Sequence, residues 1–184
     1  HDLSSVTIGL GWDIAEEKRG LFSKLLKANS EAGDYDLDAI AFLLDADGKV
    51  ADLGAQSNGK PTLVGGDVVF FNSLKHPSGH IWLTGDNRTG DGDGDDEQII
   101  VRLNDLSPTY QRIVFVVAIY QGRKKEQHFG KVKNAFIRAV DARGRELARY
   151  DISGTGEFSG CCALTFAEVA RQGVLLRKFG QEVI

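Results

Sequence analysis

Short apolar segments separated by Gly, Asp, Asn and Pro recur along this chain of 184 residues. Val6 to Trp12, Leu37 to Leu44, Val68 to Phe71, His80 to Leu83, Gln98 to Leu103, Ile113 to Tyr120, Asn134 to Val140, Glu146 to Ile152 and Leu175 to Phe179 read as strands bounded by turn formers. The tetrapeptides Asp45 to Gly48 and Asp141 to Gly144 read as hairpin turns, because Asp and Gly supply the backbone geometry such turns need. Many short strands, with turn signals about every ten residues, predict an all-β fold, a two-sheet β-sandwich. The run Ile113 to Tyr120 is apolar at both parities, which places it mid-sheet with both faces covered.

Two segments carry a helical period instead. Glu16 to Lys27 sets Leu21, Phe22, Leu25 and Leu26 on one side and Lys18, Lys24 and Lys27 around the other, with Gly20 as a weak point. Thr165 with Glu168 forms a capping box, and Gly173 supplies a stop, predicting a short helix through Arg171. One or two short peripheral helices therefore accompany the sandwich. The length suits a single domain over residues 1–184, and no apolar run reaches the eighteen or so residues that span a membrane.

Charge changes this picture at one place. The segment Gly85 to Glu97, GDNRTGDGDGDDE, holds six carboxylates, one carboxamide and four glycines. Of the 26 acidic and 22 basic residues, six acids and Arg88 lie between Asp86 and Glu97, leaving 20 against 21 elsewhere. The acidity is local. Like charges about 6 Å apart repel by roughly 0.7 kcal/mol per pair in water, and by several times more against protein. A short acidic run between apolar strands calls for a counter-ion, although most acidic runs are solvated faces. Gly90, Gly92 and Gly94 permit positive φ, so backbone carbonyls can join the carboxylates in an oxygen cage. Oxygen donors on a flexible loop favour calcium over magnesium. An EF-hand is excluded: Arg88 and Gly90 stand where ligands belong, Asp91 replaces the required glycine, and strands flank the loop.

A second acidic row, Asp34, Asp36 and Asp38, has the period of a strand and shares its parity with Ile40, Phe42 and Leu44. Carboxylates heading a core-facing row are costly unless paired or metal-bound, so the two clusters are expected to converge at one end of a sheet pair. Cys161 and Cys162 are adjacent, which disfavours a mutual disulfide and offers no framework, so a reducing compartment, the cytoplasm, is expected. The chain has no methionine and starts at His1, an edge expected from processing. His76 and His80 are separated by Pro77 and Gly79, which breaks the helix a shared zinc face would need. Arg123, Lys124 and Lys125 form one small basic patch, and a net charge of −4 gives no footprint for nucleic acid.

GLGWD at Gly9 to Asp13, DYDLDAIAFLLDADGKV at Asp34 to Val50, TGDNRTGDGDGDDEQI at Thr84 to Ile99, RIVFVVAIY at Arg112 to Tyr120, and FGKVKNAFIRAVD followed by ELARYDI together resemble the TerD family of tellurite-resistance and stress proteins. The resemblance implies a calcium-binding β-sandwich, usually cytoplasmic and encoded alongside other stress-response proteins; the two acidic clusters are expected to hold about two Ca2+ ions. It carries the metal motifs onto Asp34, Asp36, Asp38, Asp86, Asn87, Asp91, Asp93, Asp95, Asp96 and Glu97. The chain departs from the family pattern in a longer Asp13 to Gly33 segment, an insertion around Asp52 to Gly66 and a divergent Gly154 to Cys162 loop.

The sequence thus favours a non-enzymatic, metal-stabilised binding module with no direct nucleic-acid partner. The alternative is a metal-dependent phosphoesterase or nuclease, in which Arg88, His80 or Lys75 would assist paired ions. A secreted calcium-dependent adhesion module is a third reading, distinguished by a signal peptide ahead of His1.

Overall fold

The computed structural model describes residues 2–12, 35–84, 94–132, 134–152, 158–171 and 173–175. Among them twelve strands follow in chain order: β1 Val6–Gly11, β2 Leu37–Leu44, β3 Gln56–Ser57, β4 Lys60–Pro61, β5 Val68–Val69, β6 Ile81–Leu83, β7 Glu97–Val101, β8 Arg112–Ile119, β9 Phe136–Asp141, β10 Glu146–Asp151, β11 Ala163–Ala170 and β12 Gly173–Leu175. They form two five-stranded sheets, ordered β10-β9-β1-β7-β6 and β12-β11-β8-β2-β5, while β3 and β4 make a small separate ribbon. No helix among the described residues is long and apolar enough to cross a membrane.

Alternation builds the core. Val6, Ile8 and Leu10 of β1 and Ile99 and Val101 of β7 face Leu37, Ala39, Ala41 and Leu43 of β2 and Phe115 and Val117 of β8, all buried in one cluster. Each large side chain among them contributes about 1.5–3 kcal/mol relative to an exposed position. The apolar run 113–120 becomes β8, paired to β11 on one side and β2 on the other, the mid-sheet place expected of it.

The helix expected over Thr165 to Arg171 is instead most of β11. Its register against β8 slips between Thr165 and Ala167, and Phe166 and Ala167 are both buried in succession. This bulge breaks the two-residue period of the strand, while Thr165 and Glu168, three apart, imitate a capping box. The Glu16 to Lys27 segment lies outside the described residues.

The two turn motifs also part company. Asp141 to Gly144 joins β9 to β10 as a true hairpin. The Asp141 carboxylate accepts backbone N–H bonds from Arg143 and Arg145 at 2.9 Å each, and Oδ2 meets the Arg145 guanidinium. Burial alone would raise its pKa, but these donors and the Asp2 amide hold it well below the usual carboxylate range. The Asp45 to Gly48 turn closes on Lys49 through Asp45 N–H and leads into a loop, not into a strand paired with β2.

The acidic row on β2 needs a correction as well. The core-facing residues are Leu37, Ala39, Ala41 and Leu43, while Ile40, Phe42 and Leu44 are only half-buried. Asp36 and Asp38 therefore head the outward row, not the inward one.

Candidate functional site

β1 ends where β7 begins, since Leu10 pairs with Glu97. At this end Gly9 faces outward between Arg138 of β9 and Gln98 of β7. Having no side chain, Gly9 leaves a trough that the Asp95 carboxylate fills, and a Cβ there would collide with it. Arg138 grips Asp95 bidentately, Nε to Oδ1 at 2.8 Å and Nη2 to Oδ2 at 3.1 Å, and Gln98 Nε2 donates to Oδ2 at 3.0 Å. The Asp95 side chain is 1% exposed. Its hydrogen bond raises the Arg138 pKa, outweighing the burial that would lower it. Both Asp95 oxygens are thus committed to the sheet.

The next two residues tie this end to the second sheet. Asp96 Oδ2 accepts the Trp12 backbone N–H at 2.9 Å, and the Trp12 indole N–H donates to the Tyr35 carbonyl at 3.1 Å. Glu97 lies on the inward face of β7, with 1% exposure, and its Oε2 accepts the Ala39 N–H of β2 at 2.9 Å. A buried carboxylate thereby pins β7 to β2, the strand that carries Asp38 and that Asp36 directly precedes. Asp38 is itself buried.

The described parts of the two acidic motifs lie at one end of the sandwich, where Glu97 reaches Ala39, and their side chains divide among surfaces. Asp95 lies on the outer face of its sheet, Glu97 between the sheets, and Asp36 and Asp38 on the outward row of β2. Asp34, Asp86, Asn87, Asp91 and Asp93 lie outside the described residues. Among the described residues no three His, Cys, Asp or Glu side chains are grouped closely enough to hold an ion. The all-oxygen donor set suits a hard cation.

Of the groups considered for metal-assisted hydrolysis, Arg88 lies outside the described residues, and His80 sits elsewhere. The His80 carbonyl accepts the Arg102 N–H, beyond the far end of β7, so His80 is separated from Glu97 by roughly 17 Å along the strand. His76 does not share a site with His80 either. It is 4% exposed, with Nε2 at 3.1 Å from Asp67 Oδ1, while Tyr110 donates its hydroxyl to the same oxygen at 2.7 Å. Ser78 N–H meets His76 Nδ1 at 3.1 Å within the turn ending at Gly79. Burial would raise the Asp67 pKa, but the Tyr110 and His76 hydrogen bonds and the Asp52 N–H hold it below its ordinary value. Burial and the Asp67 bond push Tyr110 up to about 12. Sequence spacing hid this cluster, because Asp67 and Tyr110 are 43 residues apart.

With this geometry in view, the match to known proteins becomes decisive. Residues 1–179 match the TerD domain. The chain belongs to the TerD family. This TerD protein is 62% identical to tellurium resistance protein TerX of Serratia marcescens, over 98% of its own length and 85% of the relative's. It is 37% identical to stress response protein SCP2 of Bacillus subtilis (strain 168), covering 93% of this chain and 78% of that protein. Among solved structures, a homologue of telluride resistance protein TerD from Streptomyces coelicolor A3(2) superposes with a TM-score of 0.63 at 28% identity, covering 97% and 92% of the two chains. The TerD chain thus stands among tellurium-resistance and stress-response proteins.

Proposed function

We propose that the acidic end of this TerD domain binds calcium, about two ions, and that the bound metal orders a surface for another stress-response protein without performing chemistry. Glu97 carries this reading. A carboxylate with 1% exposure is placed where β7 meets β2, so a cation held by the adjoining segment would bear directly on the joint between the sheets. Asp36, Asp38, Asp96 and Glu97 are the described residues that would supply oxygens, together with Asp34, Asp86, Asn87, Asp91 and Asp93 from the flanking segments. Asp95 would instead shape the site through Arg138. The unbridged thiols of Cys161 and Cys162 fit a reducing, cytoplasmic setting.

Isothermal titration of chelator-treated protein tests the reading. Calcium should bind with a stoichiometry near two and more tightly than magnesium, since an irregular oxygen site suits the larger ion. Glu97→Gln should weaken binding, because hard cations prefer charged oxygens. No heat from calcium, or tighter binding of magnesium, would contradict it.

A further inference from the structure

The opposite end of the sandwich, where β8 begins and β11 ends, holds a cavity of about 240 Å³. Leu3, Leu103, Leu106, Ile113 and Val169 form its apolar lining, and Arg112 and Arg171 stand among the residues that bound it, with no carboxylate in that set. Apolar cavities of about 150 Å³ already admit benzene. This one has room for a slightly larger apolar body.

Two separate polar devices fix its wall. Arg171 donates to the backbone carbonyls of Leu106, Ser107 and Tyr110 at 3.0, 2.5 and 2.9 Å. On the other side the Tyr110 hydroxyl is anchored to buried Asp67, which His76 also contacts, so the Tyr110 ring is held as part of the wall. Burying Asp67 and His76 is expensive, and the loop they fix is the one that walls the cavity. A cavity kept open by such supports binds with little ordering cost. Arg112 is placed differently. Its side chain is 44% exposed, and its contact with Glu168 is long, 3.5 Å. Counting Arg112, Arg171 and Glu168, the rim keeps one net positive charge.

We propose that this cavity is a binding site for a small amphipathic carboxylate, its apolar body between the sheets and its head group at Arg112. The eight carbons of a medium-chain acid fill about 240 Å³ at roughly 30 Å³ each, which leaves the two carboxylate oxygens at the mouth. The site is independent of the acidic end and of any metal there.

Octanoate serves as the probe and 1-octanol as its neutral analogue, with binding read from methyl resonances of Leu103, Leu106, Ile113 and Val169. Octanoate should shift these methyls saturably at micromolar to millimolar concentration. Arg112→Gln should weaken octanoate about tenfold, the loss expected for one charge-assisted hydrogen bond, and leave octanol unchanged. Val169→Phe, which fills the cavity, should abolish binding of both, and Leu103→Phe replaces it if that variant does not fold. Absence of saturable shifts, binding that survives the filled cavity, or octanoate affinity indifferent to Arg112→Gln would each overturn the proposal.

Discussion

Gly9 shows how one missing side chain organises the acidic end. Because Asp95 occupies the space above it, Gly9→Ala must push the carboxylate out of the Arg138 fork and leave a buried charge poorly compensated. Urea unfolding should show a loss of about 3 kcal/mol with an unchanged slope; unaltered stability would mean that Asp95 moves without cost. Asp67 supplies a pH signature on the same scale. Its pKa is depressed in the folded state, so the unfolded chain binds more protons as the solution is acidified. The stability Asp67 contributes is therefore full above its unfolded value of about 4 and lost as the pH falls through the folded pKa. Asp67→Asn should cost about 2 kcal/mol near neutrality, by leaving Tyr110 and His76 poorly partnered, and should flatten the fall in stability below pH 4. Parallel acid-unfolding curves for the two proteins would contradict this.

At the scale of elements, position in the sheet sets local stability. β8 has hydrogen-bonded neighbours on both sides and a largely buried pattern, whereas β10 is an edge strand whose residues are exposed or half-buried. Amide exchange should accordingly be slowest in β8 and faster by orders of magnitude in β10. Equal protection of the two would refute that ranking. The same contrast explains what was legible in the sequence. β1, β2, β8, β9 and β10 lie close to their expected bounds, since each alternates or runs apolar between turn residues. β11 reads as a helix in sequence because Thr165 and Glu168 have the spacing of a capping box, and its bulge at Thr165–Ala167 removes the alternation that would mark a strand. The acidic motifs are legible from composition, and the described part of the second one does lie beside β2, through Glu97 and Ala39. Their partners were not: Trp12 to Asp96, Ala39 to Glu97 and Arg138 to Asp95 span 84, 58 and 43 residues, and no local pattern encodes them.

The whole molecule is a sandwich with two chemically different ends. At one, buried carboxylates join the sheets where the acidic segments enter and leave; at the other, an apolar cavity is held open by Arg171 and the Asp67–His76–Tyr110 cluster. At the first end, the proposed calcium binding and the joint between β2 and β7 form one system. A ligand that binds only the folded state at a hundredfold excess over Kd stabilises it by about 2.7 kcal/mol. At roughly 3 °C per kcal/mol for a chain of this length, the melting temperature should rise by about 8 °C from chelator to saturating calcium, and much less in Glu97→Gln. An identical melting temperature with chelator and with millimolar calcium would contradict the account.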